Sequence, residues 1–116
     1  MSAPVVRIDA RRIVDRESFH DVFAEAFGFP DIYGRNMDAW IDCLTSLDSP
    51  SDGMTTVHAA PGGVVTLQID NVDDFAERCP DLYRDVVEGA AFVNCRRIKR
   101  GLGPVLALAF SKTPQG

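Results

Sequence analysis

No stretch of this 116-residue chain approaches the ~20 consecutive apolar residues of a membrane-spanning helix. Its first residues, MSAPVVRIDARR, lack the apolar core of a secretory signal. Together these absences lead to the expectation of a cytoplasmic protein that has no membrane partner. Histidine is scarce, with His20 and His58 standing far apart, and Cys43, Cys79 and Cys95 form no CxxC pair. Zinc-ligand spacing is therefore missing, so no metal or other cofactor is expected and the thiols are expected to stay reduced. No glycine-rich phosphate loop and no base–nucleophile combination is visible, so the chain is not read as an enzyme. Cations are the minority, 12 Lys and Arg against 17 Asp and Glu, for a net charge of −5. Phosphates repel such a surface, which argues against direct nucleic-acid binding and suits a basic partner whose field speeds encounter.

What is present is ordinary globular composition, 46% hydrophobic and 25% charged, at a length suited to one domain over residues 1–116. Val5 to Asp9 reads as a short β-branched strand, and Arg11 to Glu17 as a charged connection. Ser18 is placed to cap a helix with apolar positions Phe19, Val22, Phe23, Ala26 and Phe27, which Gly28 ends and Pro30 keeps from resuming. His20 and Glu25 on that helix are expected at the surface. Asp48 to Gly53 is turn-rich, Met54 to Ala60 fits a short strand or an extended loop, and the long segment reads as local decoration. Val64 to Asp70 is a strand with Val65, Leu67 and Ile69 on one face. Asn71 is placed to cap a short helix from Val72, with Asp73 and Asp74 at its positive end. Beyond Pro80 a longer helix runs from about Asp81 to Lys99, burying Leu82, Val86, Ala90 and Val93. Arg96, Arg97, Lys99 and Arg100 crowd its end, where cations complement the helix dipole. Pro104 to Phe110 is a last strand, apolar on both faces and so expected to be covered. Strands alternating with helices imply an α/β fold with a parallel sheet.

The chain is organised around Asp31 to Leu47, DIYGRNMDAWIDCLTSL. Pro30, Gly34 and Asn36 supply turn chemistry, and Asn36 is a good helix N-cap. Met37, Trp40, Ile41, Leu44 and Leu47 then follow the spacing of a core-facing stripe. At about 100° per residue, Asp38, Asp42 and Thr45 fall together on the opposite side, with Ile41 at the border. Asp38 lies in the first turn, where the dipole favours an anion. Asp42 lies beyond it, with no Lys or Arg three or four residues away on the helix. Like charges at i, i+4 cost about 0.2–0.5 kcal/mol, so removing Asp42 is expected to leave stability unchanged or slightly raised. Such a face is either simply solvated or held negative for a positive partner.

The run P-x-x-Y-G-x-N-x-D-A-x-x-D-C-L-T, Pro30 to Thr45, resembles the barstar family of intracellular ribonuclease inhibitors. The resemblance implies a barstar-like fold, a small three-stranded parallel sheet carrying packed helices. It also implies a monomer when free and an immunity-type role, in which the loop and second helix plug the basic active site of a small ribonuclease or ribonuclease toxin domain. Carried over by motif, Asp42 would mimic a phosphate and anchor the contact through charge-assisted hydrogen bonds, and Asp38 would meet a second basic side chain. Tyr33 would shape the loop or pack on the enzyme, Gly34 would let backbone approach closely, Asn36 would hold the junction, and Thr45 would add a hydrogen bond. Ile41 stands where the best-known members carry Trp, Ile32 where a second aromatic is common, and Arg35 places a cation inside the loop. Asn94 aligns loosely with an acidic contact of the late helix. The alternative is a barstar-fold module that binds another basic protein without inhibiting a ribonuclease.

Overall fold

The computed structural model describes residues 3–115. Three strands, β1 (Val5–Asp9), β2 (Val65–Asp70) and β3 (Leu106–Phe110), form a parallel sheet in the order β1-β2-β3. Val6 pairs with Leu67, and Leu67 in turn with Leu108. Helices α1 (Arg16–Phe27), α2 (Met37–Thr45), α3 (Val72–Arg78) and α4 (Pro80–Lys99) complete the fold, with short 3₁₀ turns at Ala10–Arg12 and Pro50–Asp52. The α/β architecture expected from the alternation of strands and helices is the one observed.

The core lies between one face of the sheet and the helices. Val65, Leu67 and Ile69 of β2 are buried, as are Val6 and Ile8 of β1, while their alternating neighbours Val5 and Arg7 face outward. Beneath them pack Phe19, Phe23 and Phe27 of α1, Trp40 and Leu44 of α2 and Val86 and Val93 of α4. The last strand is less covered than its composition suggests. It is a sheet edge, and Phe110 is 46% exposed.

Local ends differ from the sequence reading in instructive ways. Asp15, not Ser18, caps α1. Ser18 sits three residues on and closes a reciprocal box, its N–H donating to Asp15 Oδ1 at 2.8 Å while its Oγ accepts from Asp15 N at 3.0 Å. Asn71 does not cap α3 with its side chain. It adopts φ +61° and donates Nδ2 to Asp9 Oδ1 at 2.8 Å. That bond and the stronger one from Arg11 pull the Asp9 carboxyl down to about 2.

Residues 54–60 form no strand. The segment instead lies on the end of α1, where Thr56 N donates to Phe27 O and Ala59 N to Leu47 O, both at 2.9 Å. Gly28 makes this seating possible. It holds φ +67°, and a Cβ there would stand 2.0 Å from Thr56 Oγ1. The turn that begins the candidate loop is thus buttressed by the segment that read as decoration.

Candidate functional site

The loop from Phe29 to Asn36 is fixed mainly by α1. Tyr33 N donates to Pro30 O at 2.9 Å, and the Tyr33 ring packs on Phe29 with centroids 4.6 Å apart. Its hydroxyl shares a 2.5 Å hydrogen bond with Nδ1 of His20. Tyr33 therefore shapes the loop from within, half-buried, and burial pushes its phenol well above the usual range.

Arg35, the cation inside the loop, is turned back onto α1. Its Nη2 donates to Asp21 Oδ1 at 2.8 Å and to Glu17 O at 3.1 Å, and its backbone takes φ +55°. A non-glycine residue in that region is uncommon and carries strain, here held by the two bonds to α1. Gly34 is exposed, and a Cβ there would make only ordinary contacts, 3.4 Å to Asn36 Nδ2. Asn36 caps α2 as expected, its Oδ1 accepting from Ala39 N at 2.8 Å.

His20, expected at the surface, is 2% exposed beneath this loop, with Nε2 buried and without a partner. Burial holds the imidazole below its usual pKa, aided by Arg35 and Arg16 and opposed by Asp21 and Asp85. A buried neutral histidine binds fewer protons than the unfolded chain once the pH drops through about 6.5. Its contribution to stability is therefore intact above that pH and is lost as the pH falls below it. Denaturant unfolding measured between pH 7 and pH 5 should show this decline, and His20→Gln should flatten it. Parallel declines in the two proteins would count against His20 as the source.

Along α2 the carboxylates of Asp38 and Asp42 are exposed, whereas Trp40 and Leu44 are fully buried and Met37 and Ile41 half-buried. Thr45, expected on the outward face, is 8% exposed, and its Oγ1 donates to Ile41 O of its own helix at 2.6 Å. It offers no free hydroxyl to a partner. Asp42 has a counter-ion that the helix sequence could not reveal. Arg96 of α4 reaches across and donates Nη1 to Asp42 Oδ1 at 2.6 Å, with the Asp42 side chain still 58% exposed. Asp38 makes no ion pair among the described residues.

Apolar surface flanks the acidic face on both sides. Towards the loop lies a hollow of about 160 Å³ lined by Pro30, Ile32, Tyr33, Ala39, Asp42 and Met54, with Ile32 85% exposed. Towards α4 lies a groove of about 200 Å³ lined by Met37, Ile41, Asp85, Glu88, Gly89 and Phe92. Gly89 allows the two helices to approach closely, since a Cβ there would stand 2.8 Å from Trp40 Cζ3. Sequence reasoning missed Ile32, Met54 and Phe92 as flanks of this face. Exposed aromatic or aliphatic residues at a loop tip and on a helix's outer face were the available signal.

Asn94, aligned with a late-helix contact, does structural work. Its Oδ1 accepts from Val105 N and Leu106 N at 3.0 and 3.2 Å, and its Nδ2 donates to Leu106 O at 2.8 Å, so it docks β3 onto α4. Among the described residues no group of three or more His, Cys, Asp or Glu is arranged to hold a metal, and no helix is long and apolar enough to cross a membrane.

Comparison with known proteins accords with this arrangement. The family model described as Barstar (barnase inhibitor) matches residues 3–96. The chain is also similar to a Bacillus subtilis (strain 168) protein named "Putative ribonuclease inhibitor YrdF", 50% identical over 38 residues. That alignment covers 33% of this chain and 42% of the relative, less than half of either. Because the family match runs from before β1 into the last turn of α4, and the three-stranded parallel sheet with its packed helices is in place, the chain belongs to the barstar family.

Proposed function

We propose that this protein inhibits a small basic ribonuclease, or a ribonuclease toxin domain, by inserting the 30–36 loop and the first turns of α2 into its active site. The carrying observation is the pair of exposed carboxylates, Asp38 and Asp42, on a capped helix whose opposite side is locked in the core. A rigid carboxylate meets a guanidinium or ammonium at little further cost in ordering, and such bonds are strong once water is excluded. Ile32 and Met54 on one side, and Met37, Ile41 and Phe92 on the other, supply surface to exclude it. Tyr33, Gly34 and Asn36 set the loop, Ile41 borders the carboxylates, and Thr45 acts only by closing the last turn of the helix. Membership of a family of barnase inhibitors supports a ribonuclease as the target and inhibition rather than catalysis as the role.

The Asp42–Arg96 pair favours a second reading, a module for some other basic protein that accepts a carboxylate already carrying its own cation. Asp42→Ala separates site from scaffold. Losing a largely exposed pair costs up to about 1 kcal/mol of stability, partly offset by relief of repulsion from Asp38. Binding to the ribonuclease should weaken by at least ~2 kcal/mol, the scale of an interface hot spot. Titration of the enzyme with both proteins, read as protection of RNA, checks this. Folded wild-type protein that protects no RNA from any ribonuclease of the same cell would shift the assignment to the second reading.

A further inference from the structure

Helix α4 presents to solvent a stripe whose charge reverses about its one exposed aromatic. Phe92 is 53% exposed, beside the groove towards α2. At about 100° per residue, Asp85, Glu88, Arg96 and Lys99 all fall within about 40° of it. Acids precede Phe92 and bases follow it, at equal intervals. Asp85 and Lys99 each stand seven residues from Phe92, and Glu88 and Arg96 each stand four.

Such a stripe is complementary to itself run backwards. We infer that α4 is the interface of a twofold-symmetric homodimer, two α4 helices lying antiparallel with Phe92 near the axis. In that register Asp85 meets Lys99 of the second copy and Glu88 meets its Arg96, and symmetry makes each pair twice. The two Phe92 rings lie together at the axis, each beside the groove floored by Met37, Ile41 and Gly89 of the other copy. A parallel arrangement would set acid against acid and base against base. The occupant that fits best is therefore a second copy of this chain, reversed.

Two of the four charges are unpaired among the described residues, and the other two share partly exposed pairs with neighbouring helices. Glu88 and Lys99 make no ion pair among the described residues, while Asp85 touches Arg16 at 3.2 Å and Arg96 touches Asp42, both pairs partly exposed. Arg96 also lies over the Phe92 ring, 5.6 Å from its centroid, and so stands beside the axis. The twenty residues of α4 span about 30 Å, and one helix face of that length buries less than the ~800 Å² per partner of a standard interface. The dimer is thus weak and populated at high protein concentration.

Sedimentation equilibrium of the full chain, from micromolar to millimolar concentration at low salt, should show the mass rising from one chain towards two. Phe92→Asp should stay monomeric with unchanged denaturant unfolding, since the side chain lies outside the core. Asp85→Lys alone should weaken association about tenfold by facing Lys99. Asp85→Lys combined with Lys99→Asp should restore it, the pairs being remade with reversed sign. A mass of one chain at every concentration would overturn the inference, as would a dimer indifferent to Phe92→Asp or a double variant no better than the single one. The dimer covers Met37, Ile41 and Phe92, which the proposed function turns towards the ribonuclease, so the two uses of this face exclude each other. The mass readings involve no ribonuclease, and their failure is distinct from failure of that reading.

Discussion

Arg97→Ala is expected to cost about 3–5 kcal/mol of folding stability, although Arg97 is one of four cations crowded at a helix end. Arg97 is 5% exposed, and its guanidinium makes four bonds. Nη1 and Nη2 take the two carboxylate oxygens of Asp48 at 2.8 and 2.7 Å, Nη1 also donates to Thr45 O at 2.9 Å, and Nε donates to Gly103 O at 2.8 Å. One side chain thereby joins the end of α2, the segment that follows it and the turn leading into β3. Removing it leaves the Asp48 carboxylate, 22% exposed, with only the long 3.5 Å contact from Ser49 Oγ, and takes from the carbonyls of Thr45 and Gly103 the donor they share. Arg97→Lys should recover little, because an ammonium lacks the planar fork that engages Asp48 with both nitrogens. The bond to Arg97 also holds the Asp48 carboxyl below its usual range, so this stabilisation is present above pH ~4 and lost as the pH falls further. Denaturant unfolding at neutral pH and at pH 3 checks both parts. The gap between wild type and Arg97→Ala should narrow in acid, and a loss below 1 kcal/mol at neutral pH would show the tie to be dispensable.

Arg97 also marks the limit of what the chain discloses by itself. The fold was legible wherever one face of an element is apolar at a fixed period: the three strands, α2 under Trp40 and Leu44, and α4 under Leu82, Val86, Ala90 and Val93. Arg97 continues that last stripe, four residues beyond Val93, and its burial could have been read from the period. The helix-dipole explanation for a basic C-terminus concealed it. His20 was hidden for a related reason. It adjoins Phe19 on a helix whose outer side is covered by a loop 13 residues further on, and no local pattern reports such a cover.

At the candidate site the motif placed the carboxylates on the outward side of a capped helix, which is where they lie. It did not show their neighbours. Periodicity along α2 correctly puts Thr45 beside Asp42, but Thr45 is buried, and Arg97, 52 residues later, donates to its carbonyl. A similar distance hides Arg96: no cation stands three or four residues from Asp42 on α2, and its counter-ion comes instead from α4. Arg35 is the converse case. Its charge is plain in the sequence, but its direction is set by Asp21 and by the backbone of α1. Long-range pairings of this kind follow from the packing of elements, and a chain read locally is silent about them.

Leu44→Ala should act opposite to Asp42→Ala, from two residues away on the same helix. Leu44 is fully buried in the cluster that joins α2 to the sheet. Truncation removes apolar contact and leaves a cavity that a close-packed interior relaxes into only in part, for a loss of about 2–5 kcal/mol. The upper half of that range is expected, because fully buried Trp40, Leu67 and Val86 belong to the same rigid core and leave little freedom to close the gap. Nothing at Leu44 reaches the surface that carries Asp38 and Asp42. Binding per folded molecule should therefore be unchanged, and inhibition should fall only as the folded fraction falls. Denaturant unfolding of Leu44→Ala beside titration with the ribonuclease, the latter at a temperature where the variant stays folded, tests the crossover. Weakened binding by fully folded Leu44→Ala would mean that the acidic face moves with the core beneath it, and α2 could no longer be treated as a rigid presenter of its two carboxylates.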